Sequence, residues 1–289
     1  MSDSLQRFLL EGTPVRGEIV QLDATWRAVL ERREYPLPLQ VLLGEMMAAG
    51  ALLSATLKFE GALIMQMQGD GPVKLLVVEA TSEHTLRATA KWDGEIPTGS
   101  IRDQLGGGKF VITIAPESGK QAYQGVVELE GESVAEVLEH YMAKSEQLDT
   151  RLWLACDDAK AGGLLLQRLP GHSEHDPDIW NRATKIGETI TPRELLDLPA
   201  RTIIHRLYHQ EDIRLFEERP TAFRCSCTRE RVTSMLRLLG SAEVRSILDE
   251  QGKVEVACEF CGRQYTFDAV DAEQVFATNI QTSVGQTKH

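Results

Sequence analysis

The sequence predicts an α+β protein. It combines an antiparallel β-rich N-terminal domain with packed helices, a helical linker region, and a small C-terminal four-cysteine module. Three observations predict this. Five apolar runs of strand length lie between residues 62 and 129, separated by the turn signals GDGP, WDGE, GGG and ESGK; short polar turns join strands antiparallel. From about residue 171 to 220 the composition shifts to dense charge and histidine with repeated helix starts and stops. Four of the five cysteines then fall in the last quarter, as Cys225-Ser226-Cys227 and Cys258-Glu259-Phe260-Cys261, with 30 residues between the pairs. The implied boundaries are 1–172, 173–220 and 221–289.

In chain order, VRGEIVQL at 15–22 places Val15, Gly17 and Ile19 on one face of a half-buried strand. TWRAVLERREY reads as a short helix capped by Thr25 and halted by Pro36 and Pro38. Residues 39–57 are apolar on nearly every side, as in a buried helix, with Met46 and Met47 as core filler. Strands follow at 62–68, 73–80, 85–92, 109–115 and 122–129, giving a meander or sandwich rather than a parallel sheet. Ser133 caps a helix over 133–147, and 151–156 and 162–169 return to strand character. Thr191-Pro192-Arg193-Glu194 fits a capping box with proline at the first helical position. Pro199 opens a helix that aligns Ile203, Ile204, Leu207 and Tyr208. Helices this short and modestly striped are marginal without tertiary support.

Composition narrows the function classes. The chain has 289 residues, 42% hydrophobic and 26% charged, which is ordinary for a folded protein. No run approaches the roughly 18 apolar residues of a membrane span, so no membrane partner is expected. The start lacks a basic segment followed by an apolar one, so no signal peptide is read. With clustered cysteines this predicts a cytoplasmic location. Net charge is −12, and residues 222–270 hold seven basic and seven acidic side chains. That balance disfavours nucleic acid as a partner, because phosphate neutralisation supplies most of such affinity.

Catalytic motifs are absent. Gly106-Gly107-Gly108-Lys109 lacks phosphate-loop spacing and precedes a strand, so it reads as a turn. Cys156 reads as a small buried hydrophobe. His172, His175, His205 and His209 are candidate ligands, and His205 and His209 have i, i+4 spacing, but no acidic residue stands where a zinc-protease base would. A solvated polar face is the better reading.

In the C-terminal module, Thr228 caps a helix ended by Gly240 and Ser241 caps one ended by Gly252. VEVAC and QYTFD flank the second cysteine pair as a hairpin. The apolar content is Val232, Met235, Leu236, Leu239, Val244, Ile247, Leu248, Val254, Val256, Tyr265 and Phe267. A domain of this size usually needs a metal or disulfide staple. Three readings fit the quartet: structural zinc, two structural disulfides, or zinc held by oxidisable thiolates. Two short chelating pairs favour one zinc per chain in the reduced protein. Spacing alone leaves strut against switch open. A C-x-C pair closed on itself would be strained and easily reduced, which suits a reversible switch better than a permanent staple.

With these residues assembled, the chain resembles the bacterial redox-regulated holdase chaperones, the thirty-three-kilodalton heat-shock protein family. The resemblance rests on FRCSCTRERV and VACEFCGRQYTF, with GTPVRGEIVQLDATW and AGGLLLQRLP upstream, and covers nearly the whole length. It implies a chaperone rather than an enzyme, inactive while Cys225, Cys227, Cys258 and Cys261 bind zinc. Oxidation, on that resemblance, forms Cys225–Cys227 and Cys258–Cys261 disulfides, releases zinc and unfolds the module. The linker then loosens, the protein dimerises, and unfolding client proteins are held without ATP under oxidative and heat stress. A loosened linker would offer Trp180, Ile203, Ile204, Leu207 and Tyr208 to clients. The competing readings are a nucleic-acid-binding four-cysteine zinc protein, disfavoured by charge, and a thiol–disulfide oxidoreductase using Cys258 and Cys261. The latter lacks a following helix N-terminus to lower a thiol pKa.

Overall fold

A computed structural model describes residues 3–57, 60–117, 121–171 and 176–277, and within it the chain divides after Arg224 into two compact units. Unit one begins with β1 (Ser4–Leu10) and β2 (Val15–Leu22), paired antiparallel so that Phe8 lies opposite Gly17. A Cβ at residue 17 would stand 2.0 Å from the Phe8 ring, so only glycine lets that ring cross its neighbour strand. Next come α1 (Ala24–Leu30) and α2 (Leu37–Thr56), then β3 (Gly61–Gly69), β4 (Val73–Thr81) and β5 (Thr85–Trp92). After α3 (Ile101–Leu105) run β6 (Gly108–Pro116), β7 (Tyr123–Glu128) and α4 (Val134–Tyr141), which continues as one π-helical turn to Glu146. Strands β8 (Thr150–Cys156) and β9 (Ala161–Arg168) complete the main sheets. Three short helices, α5 (Ile179–Gly187), α6 (Pro192–Asp197) and α7 (Ala200–Tyr208), lead to three very short strands, β10 (Ile213–Leu215), β11 (Arg219–Pro220) and β12 (Ala222–Phe223).

The strands form two six-stranded sheets. One runs β10-β1-β2-β9-β8 with β11 also on β1, and the other β12-β5-β4-β3-β6-β7. Every pairing is antiparallel except β12 with β5. The expected meander holds for β3 to β5, but β6 then returns to pair with β3, which becomes the central strand.

Helix α2 lies between the sheets, touching β2, β8 and β9 on one side and β3, β4 and β5 on the other. Fourteen of its 20 residues are buried, which explains a sequence apolar on all sides. Contrary to the reading that no run is long enough, α2 is long and apolar enough by length and composition to cross a membrane. Its residues are instead buried between the two sheets. Helices α5 to α7 cover the far face of the first sheet, where Phe8, Leu10, Val15, Ile19, Leu164 and Leu166 meet them. Strand β2 is therefore buried on both faces, not half-buried as its alternation predicts.

Several helix starts differ from expectation. Thr25 does not cap α1: the Asp3 carboxylate accepts the N–H groups of Asp23 at 2.6 Å and Thr25 at 3.0 Å, so a residue remote in sequence does the capping. Helix α3 was not anticipated, though Ser100 and Asp103 form a capping box, and Gly106 of the glycine run ends that helix at φ 71°. Ser133 and Thr191 cap α4 and α6 as predicted, each accepting from the backbone N–H three residues on.

Unit two contains α8 (Arg229–Leu239), α9 (Ser241–Gln251), the hairpin β13 (Val254–Ala257) with β14 (Gln264–Phe267), and α10 (Ala269–Ala277). Thr228 caps α8, accepting from the Arg231 N–H. Ser241 is the first residue of α9 rather than its cap; Gly240, at φ 97°, occupies the cap position.

Candidate metal centre

Each cysteine pair is set by local backbone structure. Cys225 and Cys227 lie in the irregular segment between β12 and the Thr228 cap. Cys258 and Cys261 occupy the turn of the β13–β14 hairpin. There the Cys258 N–H donates to the Arg263 carbonyl at 2.9 Å and the Gly262 N–H to the Cys258 carbonyl at 2.8 Å. Gly262 sits at φ 70°, a conformation glycine adopts without strain, and it turns the chain back so both sulfurs face one point.

The four Sγ atoms lie within 4.8 Å of one another. None is in a disulfide. Two close approaches cross between the pairs, 3.6 Å for Cys225–Cys258 and 3.3 Å for Cys227–Cys261. Thiolates at about 2.3 Å from a tetrahedral zinc stand about 3.8 Å apart. The spacing therefore fits four donors around one ion, and an all-thiolate donor set suits zinc better than calcium or magnesium. This is the one such group of metal-capable side chains among the described residues.

The surroundings favour loss of a proton. Burial pushes the Cys227 thiol up, but the Tyr265 hydroxyl and the thiols of Cys261, Cys225 and Cys258 hydrogen-bond to it and bring it down to about 7. Cys261 moves the other way: burial pushes it up, the Arg263 backbone N–H opposes this, and the neighbouring thiols add to the rise. Cys227 and Cys261 interact closely and shift in opposite directions, so Cys227 is the readier of that pair to ionise. The Tyr265 hydroxyl is buried without a partner of full hydrogen-bond geometry, which suits a donor placed to serve a thiolate.

The core beneath is small. Val232, Leu236, Val244, Val254, Tyr265, Phe267, Ala272 and Val275 are its buried members. Met235 and Leu239, expected inside, are exposed, and Leu238 is 90% exposed. Two contributors were missed from sequence. Helix α10 supplies Ala272 and Val275. Arg229 stacks over the Phe267 ring at 4.2 Å, donates to the Thr266 carbonyl at 3.0 Å and pairs with Asp271 at 2.9 Å. The alternation that made QYTFD a strand already placed Tyr265 and Phe267 on its inward face; nothing in sequence marked Arg229.

The other singled-out residues lie in unit one or outside the described residues. Ile203, Ile204 and Tyr208 are buried in the cluster under α5 to α7, with Trp180 and Leu207 partly buried against it. The Tyr208 hydroxyl donates to the Ala183 carbonyl at 3.1 Å. Cys156 is half-buried, its sulfur contacting the carbonyls of Gln40 and Asp157, and burial pushes its thiol well up, so it stays protonated. The His205 and His209 rings are exposed and 6.0 Å apart. His172, His175 and residues 278–289 lie outside the described residues.

Known proteins share both fold and sequence. The profile of the family described as "Hsp33 protein" matches residues 3–268. Curated proteins named "33 kDa chaperonin" are similar over nearly their full lengths. That of Methylobacillus flagellatus is 51% identical, covering 100% of this chain and 99% of its own. That of Nitrosococcus oceani is 49% identical, covering 99% of each, and that of Chromobacterium violaceum 50%, covering 99% and 98%. The crystal structure of a 33 kDa chaperonin from Thermotoga maritima superposes with a TM-score of 0.83 at 21% identity. It covers 96% of this chain and 99% of that one, a likeness of fold.

Proposed function

The chain belongs to the Hsp33 protein family, a family of chaperones and not of enzymes, and from that premise we propose that it is a redox-regulated, ATP-independent holdase. In this reading Cys225, Cys227, Cys258 and Cys261 hold one zinc ion in the reduced, inactive protein. The observation that carries it is a four-sulfur cluster built on a unit with eight buried apolar side chains among its described residues. A unit so small draws much of its folding free energy from metal binding, so oxidising its sulfurs dismantles it.

The chemistry balances with a peroxide as oxidant. Two thiols give two electrons and two protons to one peroxide, which leaves as two waters while one S–S bond forms. Repeating this on the second pair converts four ligands into two disulfides, Cys225–Cys227 and Cys258–Cys261. Neither can replace thiolates as metal ligands.

Residues 173–220 form the linker in this proposal. Loosening them uncovers Trp180, Ile203, Ile204, Leu207 and Tyr208, together with the sheet residues they cover, for unfolding clients. Dimerisation of the oxidised chain and a cytoplasmic setting belong to the same reading. Neutral charge balance over residues 222–270 supports clients of protein rather than nucleic acid.

Peroxide with mild heat is expected to release one zinc per chain to a chromogenic chelator, with suppression of light scattering from a heat-denatured protein appearing in step. Equal suppression by the reduced zinc-loaded protein and by a Cys258→Ser, Cys261→Ser variant would sink the switch.

A further inference from the structure

The segment between α7 and Cys225 closes the edge of the first sheet. Strand β10 pairs with Phe8, Leu9 and Leu10 of β1, and β11 pairs with Ser4 and Leu5. Between them the Phe216 N–H donates to the Arg7 carbonyl at 3.0 Å, and the Gln6 side chain donates to the Phe216 carbonyl. Beyond the two ends, the Glu11 N–H donates to the Asp212 carbonyl at 2.8 Å and the Thr221 N–H to the Asp3 carbonyl at 3.1 Å. The whole outer edge of β1 is thus covered.

The cover is thin and the strand beneath it is not. Every residue from Arg214 to Pro220 is exposed, whereas Leu5, Phe8 and Leu10 of β1 are 2%, 0% and 1% exposed. Main-chain hydrogen bonds hold the segment, aided by an ion pair between Arg214 and Glu11 and by partial burial of Ile213 in the cluster that contains Phe8. An element with few buried apolar contacts and exposed backbone hydrogen bonds opens first. This one ends five residues before Cys225, with Thr221 and the short strand β12 between.

We infer that the outer edge of β1 is a strand-addition site for extended segments of unfolded polypeptide, which residues 213–220 occupy as an internal stand-in. Main-chain pairing at a sheet edge is independent of the incoming sequence, as a chaperone of many clients requires. The stand-in identifies its replacement. It is irregular, breaks register between Leu215 and Arg219, contains a proline, and keeps one partly buried apolar residue, Ile213, beside Leu10. An edge that accepts such a segment accepts unstructured chain carrying occasional bulky apolar side chains.

The inference rests on the chaperone reading, and the test separates the two. Hydrogen exchange is followed over residues 4–10 of the full chain, using reduced carboxymethylated α-lactalbumin as the unfolded probe. In the reduced zinc-loaded protein these amides are protected; oxidation is expected to raise exchange of their outward-facing members, and the probe to slow it again by about tenfold. Aggregation suppression without that re-protection overturns the edge site but leaves the chaperone reading standing. Re-protection that depends on chaperone concentration and not on the probe assigns the edge to a second copy, and also overturns it. A second variant, Leu9→Cys with Arg214→Cys, joins residues that lie opposite in register, within disulfide reach. Crosslinked while metal holds the native thiols, it is expected to release zinc on oxidation as wild type does, yet to lose aggregation suppression; full suppression would refute the masking.

Discussion

Glu45, midway along α2, is a residue whose ionisation opposes the fold. Burial alone pushes its carboxyl up to about 7 from 4.5. Because the folded value is the higher one, the folded state binds the extra proton. Stability is therefore full below about pH 4.5, falls as pH rises towards 7, and is flat above. Glu45→Gln removes that dependence. Its midpoint in urea at pH 8 is expected to correspond to about 1–3 kcal/mol of added stability, and at pH 4 to almost none. Phe267 shows the opposite sensitivity: fully buried, with the Arg229 guanidinium over its ring, it is the largest fully buried side chain among the described residues of unit two. Phe267→Ala should cost about 3–5 kcal/mol. That is more than so small a core can absorb, so metal affinity measured by competition with a chelator should fall by orders of magnitude.

Among the elements, α6 depends most on its ends. It has six residues, opened by reciprocal bonds in which the Glu194 N–H donates to the Thr191 hydroxyl and the Thr191 N–H to the Glu194 carboxylate. Glu194 also pairs with Arg206 of α7, and Arg182 of α5 joins Asp176 at 2.6 Å to Glu211 at 2.8 Å. Three short helices are thus pinned over one apolar patch by ion pairs and, at α6 alone, by a side-chain cap. Thr191→Ala is expected to cost about 1 kcal/mol, which speeds exchange of the α6 amides about fivefold if they exchange through local opening. Unchanged exchange there would show that the cap does not limit that opening. The capping box was legible because its residue types and spacing are local. The start of α1 was not, because Asp3, which does the capping, lies 20 residues before Asp23.

At the scale of the molecule, the two units differ in what holds them. Unit one buries α2 between two six-stranded sheets, whereas unit two has, among its described residues, eight buried apolar side chains and a four-cysteine cluster. A strong chelator added to the reduced protein is therefore expected to bring the amides of residues 229–277 to unfolded exchange rates, with β3 and β4 still protected. Loss of protection in both units together would mean that one cooperative transition spans the chain.

Residue types and spacing were enough to read the two cysteine pairs as one metal-capable group, the α+β class, the main strands and most of the helix caps named, because each depends on neighbours within a few residues. The order of the second sheet, the burial of β2 on both faces, the covered edge of β1 and the contributions of Arg229 and α10 were not readable. Those depend on which segments meet across tens to hundreds of residues, and a one-dimensional pattern cannot encode that pairing. The four cysteines make the difference plain. Their spacing named two chelating pairs, but folding alone brought the four sulfurs to one point, through a hairpin turned at Gly262 and an irregular segment that ends at the Thr228 cap.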